Sequence, residues 1–165
     1  MVSTNTICKE ILNVKNAVIE DCIFFNDADG VKHIRIKARP TKTHENDCPF
    51  CHKSCPVYDK HSSKTRTWRG LDWGGILVEI ECQTHRINCP EHGIYVAEVP
   101  WAYPGSGFTK DFDLQVAWFA SYLPRSTTSY FMRVDWETVG RCVNRALHDL
   151  EPERSKRLDG LVNMR

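Results

Sequence analysis

Cys48-Pro49-Phe50-Cys51 and Cys89-Pro90-Glu91-His92 are two short pairs, each with two residues between its ends. The second side chain of each pair can fold back toward the first, so together they offer three sulfurs and one imidazole. That is the ligand inventory of a closed tetrahedral zinc site, expected as one structural ion per chain. Four protein ligands leave no open position for water or substrate, so a catalytic zinc would require one of them to be displaced. Pro49 and Pro90 directly follow the first cysteine of each pair, which suits a tight knuckle. Gly93 lets the second knuckle turn sharply after His92. Cys55, four residues after Cys51, is a rival ligand. Cys8, Cys22, Cys55, Cys82 and Cys142 otherwise read as small, mostly buried apolar residues.

Around the knuckles the pattern is that of short strands. Cys22-Ile23-Phe24-Phe25, the turn signal Asp27-Ala28-Asp29-Gly30 and the alternating run Val31 to Ala38 predict a hairpin. Ile76 to Glu81 alternates and predicts a strand, Thr84 to Asn88 a second, and Ile94 to Val99 a third. Knuckles feeding short antiparallel strands describe a zinc ribbon with a small core, in which metal contributes much of the folding free energy. Upstream, residues 4–20 loosely fit an amphipathic helix through Ile7, Ile11, Leu12, Val14 and Val18.

Pro100 to Gly107 has the composition of a linker, and beyond it the period becomes helical. Phe112, Val116, Phe119, Ala120 and Leu123 share one face, with Thr109 as a cap, Asp111 and Asp113 in the first turn, and Pro124 as the stop. A short helix is expected from about Ser126 to Met132. After a turn at Arg133-Val134, Asp135 caps a third helix whose apolar face is Trp136, Val139, Val143, Ala146 or Leu147, and Leu150. Glu151-Pro152 is expected to end it. Three helices with that brief turn predict a helix-turn-helix. The fold class is therefore α+β. The expected parts are an N-terminal helix or arm (1–20), a zinc-ribbon-like β domain (21–99), a linker (100–108), a helix-turn-helix (109–151) and a tail (152–165).

The bulk properties narrow the function little. The chain has 165 residues, 41% hydrophobic and 26% charged, which is ordinary for a globular protein. A net charge of +1 neither requires nor excludes a nucleic-acid partner, so local charge must decide. No stretch of 18 apolar residues occurs, so no membrane span is expected. No secretory signal is expected from residues 1–11, and eight cysteines without one favour metal binding over a disulfide framework.

On the third helix, Thr138, Arg141, Asn144, Arg145 and His148 oppose the apolar face. These types suit phosphate and base-edge contact. The early residues of such a helix enter the major groove, so Thr138 and Arg141 are the candidates for reading bases and Arg145 for phosphate. A solvated polar face is the bland alternative. Residues 60–69 hold Lys60, His61, Lys64, Arg66 and Arg69 without an acidic residue. They read equally as a strip along a phosphate backbone or as a solvated loop with Trp68 in the core. No nucleophile spacing and no phosphate-cradling glycine motif is present. Glu79 and Glu81 read as a solvated strand edge and Asp72 as a turn residue.

Cys48-Pro49-Phe50-Cys51, Arg66-Thr67-Trp68-Arg69-Gly70-Leu71-Asp72 and Arg86-Ile87-Asn88-Cys89-Pro90-Glu91-His92-Gly93 also resemble an insertion-sequence transposase of the ISL-three class. Val99-Pro100-Trp101-Ala102, Gly107-Phe108-Thr109 and Asp135-Trp136-Glu137-Thr138-Val139 extend the resemblance, which covers roughly residues 20–165. The resemblance implies that a zinc-binding domain and a helix-turn-helix recognise the terminal repeats of a transposon. It also implies a following RNase H-like domain with an Asp-Asp-Glu triad, for which Leu158 to Asn163 would be the lead-in; Asp159 does not match a catalytic position. The expectation is sequence-specific binding of double-stranded transposon-end DNA in the bacterial cytoplasm, on the nucleoid, without strand-transfer chemistry in this chain. Lys64, Arg66, Arg69, Arg125, Thr138, Arg141, Asn144 and Arg145 would contact DNA. Partners would be that DNA and a second copy or a full-length transposase. A regulatory or inhibitory transposase fragment and a zinc-ribbon protein-interaction module are the competing readings. An enzyme in its own right is disfavoured.

Overall fold

The computed structural model describes residues 4–59 and 64–159, with side chains described through residue 147 and at Asp149. The chain divides into two compact units, residues 1–109 and 110–165. Lys60 and His61 of the basic segment, and Gly160 to Asn163 of the tail, lie outside the described residues.

The first unit opens with α1 (Thr4–Leu12), which buries Cys8. The helical pattern expected through residue 20 stops early. Asn13 and Asn16 take left-handed conformations (φ 46° and 60°), and the Asn13 amide donates to the Lys9 carbonyl at 3.0 Å. Asparagine tolerates this region better than most residues, so it ends the helix and swings the chain into a strand. That strand, β1 (Ala17–Asn26), pairs antiparallel with β2 (Lys32–Pro40). The predicted hairpin is thus present. Its turn is held by the Asp27 carboxylate, which accepts the Asp29 and Val31 amides at 3.0 and 2.8 Å, and by Gly30 at φ 78°.

The rest of the sheet departs from a simple ribbon. The basic segment forms a strand, β3 (Lys64–Arg69), antiparallel to β4 (Leu77–Thr84). β4 also pairs in parallel with β2, giving the order β1-β2-β4-β3. Parallel neighbours need a long crossover, and the first knuckle lies within it. Ile34, Ile36 and Ala38 on β2 and Val78, Ile80 and Cys82 on β4 are all buried. Their alternation puts them on one face, with Cys8 at one end and Trp68 and Trp101, edge to face at 5.7 Å, at the other. The opposite face is charged, with Arg35 donating to Glu79 through two guanidinium nitrogens. A separate two-stranded hairpin, β5 (Arg86–Cys89) and β6 (Gly93–Val96), completes the unit.

The second unit contains α2 (Lys110–Tyr122), α3 (Arg125–Met132) and α4 (Trp136–Asp159). Phe112, Val116 and Ala117 of α2 are buried, as are Val139, Cys142 and Ala146 of α4. Two expectations fail here. α4 does not stop at Glu151 but continues through Pro152. Proline removes one helical hydrogen bond, but the strong helix formers Glu151, Glu153, Arg154, Lys156 and Arg157 carry the helix past it. Trp136 is not inward-facing: it is 59% exposed, with the Arg125 guanidinium 5.3 Å over its ring. Val139 of the same turn is buried, so α4 turns its core face away from Trp136, and helical spacing alone misassigns this residue.

A candidate metal centre and a candidate nucleic-acid face

The first knuckle is built by backbone bonds. The Cys48 amide donates to the Lys53 carbonyl at 3.0 Å, and the His52 amide to the Cys48 carbonyl at 2.9 Å. His52 stands at φ 56°, directly after the second ligand, as Gly93 does at φ 87° in the other knuckle. Both loops thus need a left-handed residue at the same place, supplied once by glycine and once by histidine. The second knuckle is the tip of the β5–β6 hairpin. Val57 bridges to Ile87, the Tyr58 amide donates to the Arg86 carbonyl and the Asn88 amide to the Pro56 carbonyl, each at 2.9 Å, so the first loop is laced onto β5. Ile87 and Ala97 form the small apolar floor beneath Cys48 and Cys89.

These elements bring Cys48, Cys51, Cys89 and His92 together, with one ligand atom of each within 4.8 Å of all the others. Cys48 Sγ lies 3.7 Å from His92 Nδ1, Cys89 Sγ 3.5 Å from the same nitrogen, and Cys51 Sγ 3.7 Å from Cys89 Sγ. A zinc tetrahedron with Zn–S of about 2.3 Å and Zn–N of about 2.0–2.1 Å has edges of about 3.8 Å between sulfurs and about 3.6 Å between sulfur and nitrogen. These three separations match those edges, and the cluster could hold a metal ion. Cys55, the rival ligand, is buried beside it and turns its thiol to the Lys53 carbonyl at 3.3 Å.

The electrostatics fit shared anionic ligands. Burial opposes ionisation of Cys89, but the His92 ring and the Glu91 and His92 amides favour it, and its pKa falls to about 6. At Cys51 the Lys53 amide favours the thiolate, while burial and the neighbouring Cys48 and Cys89 thiols outweigh it and push the pKa up. Burial, then Cys89, pushes Cys55 up to about 11. Several sulfurs thus compete for negative charge that a cation would let all three cysteine ligands carry. Lys53 pairs with Glu91 across the two knuckles, and Phe50 covers the outer face against His92 (5.3 Å) and Tyr95 (4.8 Å).

The predicted DNA-contacting residues divide into several environments. Lys64 and Arg66 are exposed on the edge strand β3, while Arg69 is half-buried and lies 3.7 Å from the Asp72 carboxylate. Arg125, exposed at the start of α3, lies across Trp136 and Gly140 of α4. α3 ends at Arg133 (φ 53°, ψ 48°), whose amide reaches Ser129 and Tyr130, and the Val134 amide returns to Ser129 at 3.2 Å. This closes α3 as a Schellman turn without glycine. Asp135 then caps α4, as expected: its carboxylate accepts the Thr138 amide at 2.8 Å and the Thr138 hydroxyl at 2.6 Å. Those bonds hold the Asp135 carboxyl below its ordinary value.

Thr138 is buried, and its oxygen also accepts from Arg141 at 2.9 Å. Its hydroxyl is thus engaged within the helix, between Asp135 and Arg141. Arg145 is likewise engaged, donating through Nε and Nη2 to the two oxygens of Asp113 on α2, each at 2.8 Å. Asp113 is fully buried. The pair joins α2 to α4, and the Asp113 hydrogen bonds raise the Arg145 pKa. Arg141 and Asn144 are exposed on α4, in line with Glu137. The side chain of His148 lies outside those described. Sequence reading named Arg125 and Trp136 but missed their pairing; the tryptophan at the first position after a cap is the signal that could have found it.

Residues 97–147 match the helix-turn-helix domain of transposase family ISL3. The chain is 39% identical over 153 residues to the transposase for insertion sequence element IS1557 from two Mycobacterium tuberculosis strains, CDC 1551 / Oshkosh and ATCC 25618 / H37Rv. Each match covers 92% of this chain, which spans about a third (33%) of the length of those relatives. No solved structure matches the chain. Among the described residues no helix is long and apolar enough to cross a membrane. Over residues 97–147, which take in α2, α3 and the first half of α4, the chain is thus similar to the helix-turn-helix domain of transposase family ISL3.

Proposed function

We propose that this chain is a zinc-containing module that recognises double-stranded DNA at transposon ends, acting on bacterial DNA in the cytoplasm. The observation that carries the reading is the match over residues 97–147, joined to an α4 that begins at a firm cap and exposes Arg141 and Asn144. Arg141 is the base-reading residue, set by Thr138 and Asp135; Asn144 extends the same stripe toward the groove. Lys64 and Arg66 supply phosphate contacts from β3, and Arg125 supplies one from beside Trp136. Arg69, Thr138 and Arg145 act through the scaffold. Zinc is held by Cys48, Cys51, Cys89 and His92, where it orders the knuckles and leaves no position for substrate. No residue of this chain is assigned a strand-transfer step.

The test is DNA binding by the zinc-loaded chain across a salt series. Affinity should fall linearly with the logarithm of salt. Arg141→Ala should cost about 1–3 kcal/mol and relax preference at one base position. An Arg141→Ala chain with unchanged site selection would remove that assignment. A second copy is the proposed protein partner, because Trp118, Tyr122, Tyr130 and Phe131 are all more than half exposed in the helical unit. Sedimentation showing only monomer at high concentration would dismiss it.

A further inference from the structure

Outside the metal cluster, Cys8 of α1 and Cys22 of β1 face each other with their sulfurs 2.8 Å apart. Both are free thiols. The separation approaches the length of a disulfide bond, about 2.0 Å. Neither residue belongs to the knuckles or to the helical unit. Cys8 is buried against Ile34, Ile36 and Val78, and Cys22 is partly open at the sheet edge. We propose that Cys8 and Cys22 form a redox-reactive pair that closes to a disulfide and fastens α1 to the edge strand β1.

The chemistry follows from the difference in exposure. The more accessible Cys22 thiolate attacks one sulfur of a small-molecule disulfide, forming a mixed disulfide and releasing one thiolate. The buried Cys8 thiolate then attacks the Cys22 sulfur, forming the Cys8–Cys22 bond and releasing the second thiol. Two protein thiols lose two electrons and two protons, and the small disulfide is reduced to two thiols. Burial and the adjacent Cys8 push the Cys22 thiol up to about 12, so the first step should be slow near neutral pH and quicken as pH rises. The fastened segment is an edge: β1 ends the four-stranded sheet, and α1 already meets it through Asn5, which donates to the Glu20 carbonyl at 3.1 Å. Closure would hold α1 against the buried face of the sheet, where Cys8 already packs on Ile34, Ile36 and Val78.

The 165-residue chain, treated with oxidised glutathione and then digested without reductant, tests the proposal. The expected product is a Cys8–Cys22 cross-linked peptide, lost on reduction, with both residues protected from alkylation in the denatured oxidised protein. Cys22→Ser should abolish the cross-link and leave Cys8 alkylatable. Because the readout is the linked peptide in the wild-type chain, failure of the variant to fold would not blunt the test. Full alkylation of Cys8 and Cys22 after oxidation, or a stable glutathione adduct on Cys22 that Cys8 never displaces, would overturn it.

Discussion

Replacing Arg145 by alanine separates a structural arginine from a DNA-contacting one. Asp113 is 0% exposed and the Arg145 side chain 20% exposed, and the two are joined by paired 2.8 Å bonds. Arg145→Ala leaves a carboxylate sealed between α2 and α4 without its countercharge. Breaking a buried pair from one side costs about 3–5 kcal/mol, because the remaining charge is uncompensated. The double change Asp113→Leu with Arg145→Met removes both charges and keeps similar volume, so it should recover much of that loss. Urea unfolding followed by far-ultraviolet circular dichroism measures both, and DNA affinity is measured separately on the folded fraction. If Arg145→Ala keeps wild-type stability and weakens DNA binding in a salt-dependent way, Arg145 is a phosphate contact and the ion-pair reasoning fails.

Gly140 sits in the interior of α4, and a methyl group there would meet only the flexible end of Arg125, at 3.4 Å. Gly140→Ala should therefore stabilise the helical unit by about 0.5–1 kcal/mol through backbone entropy, seen as a higher urea midpoint. Asp135 has its pKa lowered from 3.8 by the Thr138 hydroxyl and amide. Its contribution to α4 is thus complete above that value and disappears as pH falls through the lower folded value; a pH titration of helix stability should show the loss there, and Asp135→Asn should flatten it. Mass spectrometry under native conditions should find one zinc per chain, and Cys89→Ser should abolish it. Zinc affinity should weaken as pH falls, because the cysteine ligands must be thiolates and His92 neutral to bind.

The β1–β2 hairpin was legible because its signals are local: a short apolar run before Asp27-Ala28-Asp29-Gly30 and period-two alternation after it. The knuckles were legible for the same reason, since each ligand pair lies within four residues, and so was the Asp135 cap. What failed depends on distant partners. Nothing in Lys64 to Arg69 announces a strand; the register Trp68↔Ile80 creates one by burying a single aromatic on an otherwise exposed edge. The parallel union of β2 with β4 joins segments separated by the whole first knuckle. Arg145 read as a surface cation because its countercharge lies 32 residues away on another helix. Trp136 read as core because periodicity reports a helix face and not the cation that Arg125 lays over its ring.

The separation of the two cores alters what zinc must do. Four ligands and two knuckles suggested a small ribbon that the metal folds. The knuckles do rest on little else, with Ile87 and Ala97 as their main apolar support. The four-stranded sheet, however, has its own buried set in Ile34, Ile36, Val78, Ile80, Trp68 and Trp101, and none of the metal ligands belongs to it. Binding energy from a structural metal is folding energy only for the residues it orders. Chelation should therefore abolish amide protection around Cys48–Cys55 and Cys89–Gly93 while leaving β2 and β4 protected in hydrogen exchange. Loss of protection throughout the sheet on chelation would mean that the metal folds the entire unit and that the two cores are one.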